Sequence, residues 1–479
     1  MKTFKLLFLV LIVAGLLTAC SKEEELYEEP DDLMLKKATM GQVFHVMPSG
    51  GDDTQALQDA FDAAIAAGHG SVVQLGTGEY HLGFIEIRDF YGCMKGAGKD
   101  KTIITANTGL DAQALMDNHQ YPHLVKFVGG DVKLCDFTIQ SPEGPLAING
   151  TPGFIHCLIN FSAYNANYEW ANPDRSINVL VDNIRVKGQF WDGGLGYHHS
   201  YNTYFGLRTG WDYYFADPYA NVGVVPREKI NFKIINSDVE TFVYGLVLEA
   251  MRDGTYVIGE KNKGNVISQC DQGGGVWEFR NMDVLVEGNT FNVFEDGWGL
   301  DLDNYPYYMI LEDEPKITAT VFNVQHNTFN LRQSDYGILL RDQLIFTHLE
   351  EPTVNFNVKS NTFQLLDNHA PVILPIVTRN AVIRNNKFSG HSADIGIYSW
   401  ASDNALLLGN NFSNAVFDGG LSLILDASNG WTIVGGNLGE TVLDFGENNL
   451  ISGFNNMDSD VPFGQTITDN LNKKSGPMY

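Results

Sequence analysis

A phrase of six residues recurs along the chain: an apolar residue, two variable residues, asparagine, one more residue, then phenylalanine. It stands in VQHNTFN from Val324, VKSNTFQ from Val358 and IRNNKFS from Ile383. With the apolar residue as anchor, the series runs Leu134, Val181, Ile234, Val286, Val324, Val358, Ile383, Leu407 and Val434. Three residues on, the slot holds Phe137, Ile184 and Ser237 early, then Asn289, Asn327, Asn361, Asn386, Asn410 and Asn437. The late anchors are 25, 24 and 27 residues apart (383 − 358, 407 − 383, 434 − 407). That period is too short for a propeller blade, lacks helical patterning and lies in the range of solenoid repeats. The flanks alternate apolar and polar, as in FNVKSNTF, which argues strand. A parallel β-coil, each turn lying on the last, satisfies both observations. In such a coil asparagine suits a tight bend, because it tolerates left-handed backbone angles. Stacked asparagine amides ~4.8 Å apart can bond along the bend, and the phenylalanines stack inside. The repeat is therefore read as structural.

The early anchors are wider apart, by 47, 53 and 52 residues (181 − 134, 234 − 181, 286 − 234). Each interval holds either one coil with a large insertion or two coils, one of them degenerate. The added material, between about residues 140 and 282, includes FSAYNANYEWANP, FWDGGLGYHHSYNTYFGLRTGWDYYFADPY and DQGGGVWEFRNM. These stretches are dense in tryptophan and tyrosine. Aromatic rings suit the apolar C–H faces of sugars as readily as they suit packing of loops onto a column.

The N-terminus is a targeting segment. Lys2 and Lys5 precede an apolar run from Leu6 to Leu17, too short to span a bilayer and typical of a signal-peptide core. Leu17-Thr18-Ala19-Cys20 resembles a bacterial lipobox, which implies removal of residues 1–19 and lipidation of the Cys20 thiol. Residues 20–42 read as an acidic, solvated tether, and residues 43–479 as the folded domain. Its first segment predicts a helix capped by Asp52 or Asp53 with Leu57, Phe61, Ala64 and Ile65 on one face. Gly68 and Gly70 end the helix and SVVQL follows as a strand. Such a helix can cover the open end of a sheet, where unpaired edges invite aggregation.

GDDTQALQDAFDAA, GSVVQLGTGEYHL and GAGKDKTII, followed by the Asn-x-Phe coils, resemble the pectate lyase superfamily. The resemblance implies an all-β fold, a right-handed parallel β-helix. It implies no single reaction, since that superfamily includes lyases, hydrolases, epimerases and non-enzymatic adhesion proteins. Asp52-Asp53, Gly68-His69-Gly70 and Arg185-Val186-Lys187 match polygalacturonase motifs as strings. The first two bracket the helix, ahead of the coils, and are read as a cap and a turn. The net charge of −27 disfavours nucleic acid as a partner and counts against a polyuronate substrate. Two functions remain: a cell-surface enzyme cleaving a polysaccharide, as a glycoside hydrolase or polysaccharide lyase, and a non-catalytic surface glycan-binding or adhesion protein. No cofactor is required; acidic residues are compatible with Ca²⁺, but no loop spacing specifies a metal site.

A second strand follows each anchor at a regular step. Gly299, Gly337, Pro371 and Gly396 lie 13 residues past their anchors; the same step from Val181 gives Gly194, and Gly245 lies 11 past Ile234. Four residues further come His198, Glu249, Asp303, Arg341, Pro375 and Trp400. Equal register in a parallel coil means vertical stacking, so His198, Glu249, Asp303 and Arg341 are expected as neighbours, with Asp301 pointing the same way as Asp303. Hidden coils in the long intervals would break up this row. Glu249 and Asp303 are the acid/base candidates, because adjacent carboxylates drive their pKa values apart. His198 is placed to share proton transfer and Arg341 to orient substrate. Trp191, Tyr197, Arg208, Trp211, Trp298 and Tyr305 are the candidate substrate-binding residues along the cleft. The chain is expected at the outer membrane, lipid-anchored and cell-surface exposed. Cys20→Ala should move it from the membrane to the soluble fraction on cell fractionation; a variant as membrane-bound as wild type would refute the lipobox reading.

Overall fold

The computed structural model describes residues 41–107, 123–142, 155–163, 176–189, 203–210, 229–303, 320–342 and 354–452, apart from a few positions within them. The backbone of a short antiparallel pair, Leu146–Ile148 with Thr151–Gly153, is also described. The chain divides into two units, Met1–Gly41 and Gln42–Tyr479, and the architecture below belongs to the second.

The fold is a parallel β-helix. Among the described residues every ladder but that short pair is parallel, and the other strands join into one 34-stranded network. Each coil contributes strands to three faces. The anchors lie on the first face, for example Asp283–Glu287, Thr320–Gln325 and Val354–Lys359. The Asn-x-Phe residues open the second, with Thr290–Phe294, Thr328–Arg332 and Thr362–Asn368. The third carries Trp298–Asp303, Tyr336–Arg341 and Ile373–Ile376.

The anchors stack in one line: Leu134, Val181, Ile234, Ile258, Val286, Val324, Val358, Ile383, Leu407, Ile433. This line settles the long intervals. Leu134 pairs with Val181 and Val181 with Ile234, so the first two hold single coils with insertions. The third holds two, because Ile258 lies between Ile234 and Val286. The series also ends one residue earlier than expected: Ile433 is buried and Val434 is exposed.

The corner between the first two faces is held by buried side chains. Asn265, Asn289, Asn327, Asn361, Asn386 and Asn410 form a continuous ladder, each Nδ2 donating to the next Oδ1 at 2.9–3.0 Å. Each Oδ1 from Asn289 onward also accepts the preceding asparagine's backbone N–H at 3.0 Å. The second Nδ2 hydrogen goes to the anchor carbonyl of the previous coil, as from Asn361 to Val324 O at 2.9 Å. Asparagine fits because its amide donates twice and accepts twice. The left-handed residue is not this asparagine but the one before it: Asp136, Asn183, Asn236, Gly288, His326, Ser360, Asn385 and Gly409 all have φ between 52° and 72°. The bend and the ladder are thus separate tasks of adjacent residues. Inside, Phe291, Phe329, Phe363, Phe388 and Phe412 stack with centroids 4.2–5.0 Å apart.

The helix Thr54–Ala67 buries Leu57, Phe61 and Ala64 against the first coils, with Ile65 partly buried beside them. Phe61 meets Phe90 edge-on at 5.1 Å. Asp52 Oδ1 accepts the Thr54 N–H at 2.9 Å, while buried Asp53 accepts from Ser49 N at 2.7 Å and His81 N at 3.1 Å. His69 stacks on Tyr91 at 4.2 Å. Both polygalacturonase-like strings at the helix therefore have structural partners.

Phe363→Asp should destabilise the protein by about 4 kcal/mol or more, because an unpaired carboxylate would enter the phenylalanine column, whereas Phe363→Leu should cost about 1 kcal/mol. Asn361→Leu should cost about 3 kcal/mol despite similar volume, since it orphans buried backbone and amide groups of its neighbours. Denaturant unfolding midpoints check all three; a midpoint unmoved by Phe363→Asp would place that ring outside the core.

Candidate functional site

A column of glycines sets the start of the third face. Gly206, Gly245, Gly273, Gly299 and Gly337 occupy equivalent rungs. A Cβ on Gly299 would lie 2.4 Å from the Gly337 carbonyl oxygen and 3.1 Å from the Phe329 ring. No side chain fits there, so glycine lets the corner close over the phenylalanine stack. The preceding residues, Phe205, Tyr244, Gln272, Trp298 and Tyr336, stand in register beside it. Phe205 and Tyr244 stack at 5.2 Å and Trp298 meets Tyr336 at 5.8 Å. Phe205, Tyr244 and Trp277 belong to a small apolar cluster separate from the column's core.

Along Trp298–Asp303, Leu300 and Leu302 point into the core. Strand alternation puts Asp301 and Asp303 on the opposite side, and they are only 2% and 6% exposed. Arg341 occupies the rung after Asp303. Its Nη2 lies 2.7 Å from Asp303 Oδ2 and 3.6 Å from Asp301 Oδ2. From the other side, Trp277 Nε1 and Gln272 Nε2 donate to Asp301 Oδ2 at 3.2 and 3.3 Å. Gly275, in register with Asp301, makes this possible. A Cβ there would sit 3.0 Å from both Trp277 Nε1 and Gln272 Nε2. Among the described residues, Asp301 Oδ1, Asp303 Oδ1 and Arg341 Nε are buried without a hydrogen-bond partner.

One guanidinium cannot balance two buried carboxylates. Burial raises Asp301 to about 6, opposed by Arg341 and by the Trp277 and Gln272 hydrogen bonds. Burial raises Asp303 further, to about 8, reinforced by the charge of Asp301 and opposed by Arg341. The pair therefore holds a proton into the neutral range, mainly on Asp303, with Asp301 the better anion.

The structure brings together Asp301, Asp303 and Arg341 and separates the others. Glu249 is in register with Trp277, and Trp277 with Asp303, so two rungs, ~10 Å, divide the two acids. The expected adjacency of Glu249 and Asp303 fails because the coil through Ile258 was not counted. Arg341's next neighbour is Ile376 rather than Pro375, and Val372 rather than Pro371 continues the glycine column. In the rung before Gly245 that column continues in Gly206 rather than Gly194. Arg208 is fully buried, its guanidinium carbon 5.1 Å above the Phe205 ring. It stands three rungs from Asp301 through Val247 and Gly275, ~14 Å away, and does not wall the pair. Trp298 opens the strand that carries both acids. Cys20, Trp191, Tyr197, His198, Trp211, Tyr305 and the side chain of Glu249 lie outside the described residues. Gln272, Gly275 and Trp277 were missed as site residues. Their stretch, taken as a loop insertion, forms the strand Gln272–Arg280. The signal was present in Asn265, seven residues past Ile258 rather than three, across the turn Gly259–Gly264. Among the described residues no three His, Cys, Asp or Glu side chains gather as a metal site.

No protein-family model matches the chain, and no curated protein does. Among solved structures it is similar to the Dettilon tailspike protein, with TM-score 0.51 and 12% identity over 86% of this chain and 68% of that one. It is also similar to the A-module of an Azotobacter vinelandii mannuronan C-5 epimerase (TM-score 0.46, 15% identity, 84% of this chain and 94% of that). A third is the catalytic domain of a GH87 α-1,3-glucanase in complex with nigerose (TM-score 0.40, 11% identity, 88% and 67%). At 12% identity the likeness to the tailspike protein concerns the fold alone, in keeping with the parallel ladders.

Because both carboxyls titrate above the ordinary aspartate range, the folded chain keeps protons that the unfolded chain has lost. The pair's contribution to stability is complete below about pH 4 and is lost as pH rises through about 6 and about 8. Asp303→Asn should remove most of this decline. The check is the denaturant midpoint at about pH 5 and about pH 8; a variant declining as steeply as wild type would mean Asp303 holds no such proton.

Proposed function

We propose that the protein is a polysaccharide-degrading enzyme, a glycoside hydrolase, whose acid and base are Asp303 and Asp301. One observation carries this reading: two buried carboxyls on one strand share a single arginine and differ in proton affinity. Asp303, protonated at neutral pH, is suited to donate its proton to the leaving glycosidic oxygen. Arg341, 2.7 Å away, would then stabilise the carboxylate left behind. Asp301, held anionic by Arg341 and by the Trp277 and Gln272 hydrogen bonds, would either activate a water or attack the anomeric carbon. Trp298 and Tyr336, half-buried on this face, offer ring surfaces to sugar units. The net charge of −27 favours a neutral or sparsely charged glycan over the uronate polymer that β-elimination requires. The leader supports placing this activity at the cell surface, on a lipid anchor at Cys20.

Incubation with a panel of glycans, reading reducing ends together with the absorbance of unsaturated products, tests the proposal. Reducing ends alone are expected. Asp303→Asn and Asp301→Asn should each lower turnover on the order of a hundredfold or more while the column stays folded. Unsaturated products would make the site a lyase. Binding without products on any glycan would favour the non-catalytic alternative, and full activity in both variants would remove the pair from the mechanism.

A further inference from the structure

Two cysteines on successive coils of the first face touch, far from the phenylalanine column and from Asp301. Cys93 belongs to Ile85–Lys95 and Cys135 to His123–Cys135. The two strands are parallel neighbours, with Cys93 opposite Lys133 and Lys95 opposite Cys135. The inward residues between them, Met94 and Leu134, are buried in the core, so all four flanking side chains share the outer side of the sheet. The cysteines occupy one diagonal of this square and the lysines the other. The two Sγ atoms are 3.7 Å apart, at van der Waals contact. Cys93 is half-buried and reachable from solvent; Cys135 is buried behind it. The hydrogen bond from Cys135, with Lys133 and Lys95 nearby, pulls the Cys93 thiol down against its burial and the charge of Asp136, which lies 3.8 Å from Lys95. The same contact, seen from the other partner, pushes Cys135 up. The lysines supply the cationic setting in which a thiolate forms and attacks.

We propose that Cys93 and Cys135 are a reversible redox pair whose disulfide staples two successive coils, formed by exchange with a low-molecular-weight disulfide. The Cys93 thiolate attacks one sulfur of the small disulfide, forming a mixed disulfide and releasing one small thiolate. Cys135 loses its proton and attacks Cys93 Sγ, expelling the second. Two protein thiols are oxidised and one small disulfide is reduced to two thiols, so electrons and protons balance. The pair stands one rung and two residues apart, so drawing the sulfurs from contact to about 2.05 Å takes a local shift of the two strands as well as side-chain rotation. It closes a segment of 42 residues that includes a complete coil, and so restricts the unfolded chain. Cys157 and Cys270, both thiols, are buried and serve as internal controls. A compartment oxidising enough to hold the bond follows from the leader, but the contact of the sulfurs does not depend on it.

The full chain, fully reduced and desalted, would be treated with oxidised glutathione and mapped by peptide mass spectrometry under acid quench. The expected result is a Cys93–Cys135 linked peptide, free thiols at Cys157 and Cys270, and no retained glutathione. The thermal midpoint should rise by several degrees and return on adding dithiothreitol. Cys135→Ser should instead retain glutathione on Cys93, because the resolving thiol is gone. Persistence of both thiols in wild type, a stable glutathione adduct on wild-type Cys93, or a cross-link that leaves the midpoint unchanged would each overturn the proposal.

Discussion

The structure depends on one repeated contact, an asparagine amide that bonds to the coil before it and the coil after it. Each ladder asparagine from Asn289 to Asn386 is at most 2% exposed and satisfies its neighbour's side chain, its neighbour's backbone N–H and an anchor carbonyl. Unmet, those groups would be costly in an apolar interior. Met, they fix the corner, and the corner fixes which residue of each coil faces in. Where the ladder ends, Ser237 takes its place: its backbone N–H donates to Asn265 Oδ1 at 3.0 Å and its hydroxyl accepts from Ile184 N at 3.2 Å.

The third face inherits its register from that corner. Once Phe329 and Phe363 stack, only a glycine fits beside them, and the strand leaving the glycine must alternate core and surface from a fixed start. Leu300 and Leu302 go inward, so Asp301 and Asp303 are left together on the other side with Arg341 one rung away. Nothing in the pair itself would hold two carboxyls in such company. The column around them does, and their raised proton affinities are the electrostatic result.

Most of the fold was legible because stacking repeats the same demand at each level: apolar anchor, bend, amide, ring. The phrase is legible where the step from anchor to amide stays at three residues, as from Val286 to Leu407. It fails where the spacing changes. The turn Gly259–Gly264 adds four residues between Ile258 and Asn265 (7 against 3), hiding a coil and, with it, Trp277 between Glu249 and Asp303. The role of Gly275 was not legible either, since a missing side chain becomes informative only when its neighbours are known. The left-handed bend was assigned one residue late, because asparagine suits both positions and the sequence alone does not say which it occupies.

Coil length varies unevenly around the column. Between the first two faces the step is three residues in most coils. From the third face back to the first it is 17 residues after Asp303 (to Thr320) and 13 after Arg341 (to Val354), but 6 after Ile376 and 6 after Trp400 (to Val382 and Leu406). Closing a longer connection costs little, since the entropy grows only with the logarithm of its length. Changes of length are therefore concentrated at the borders of the face that carries the acid pair, while at the asparagine corner the turn after Ile258 is the exception among the described coils. The connections that border Asp301 and Asp303 can thus change length while every rung keeps its address.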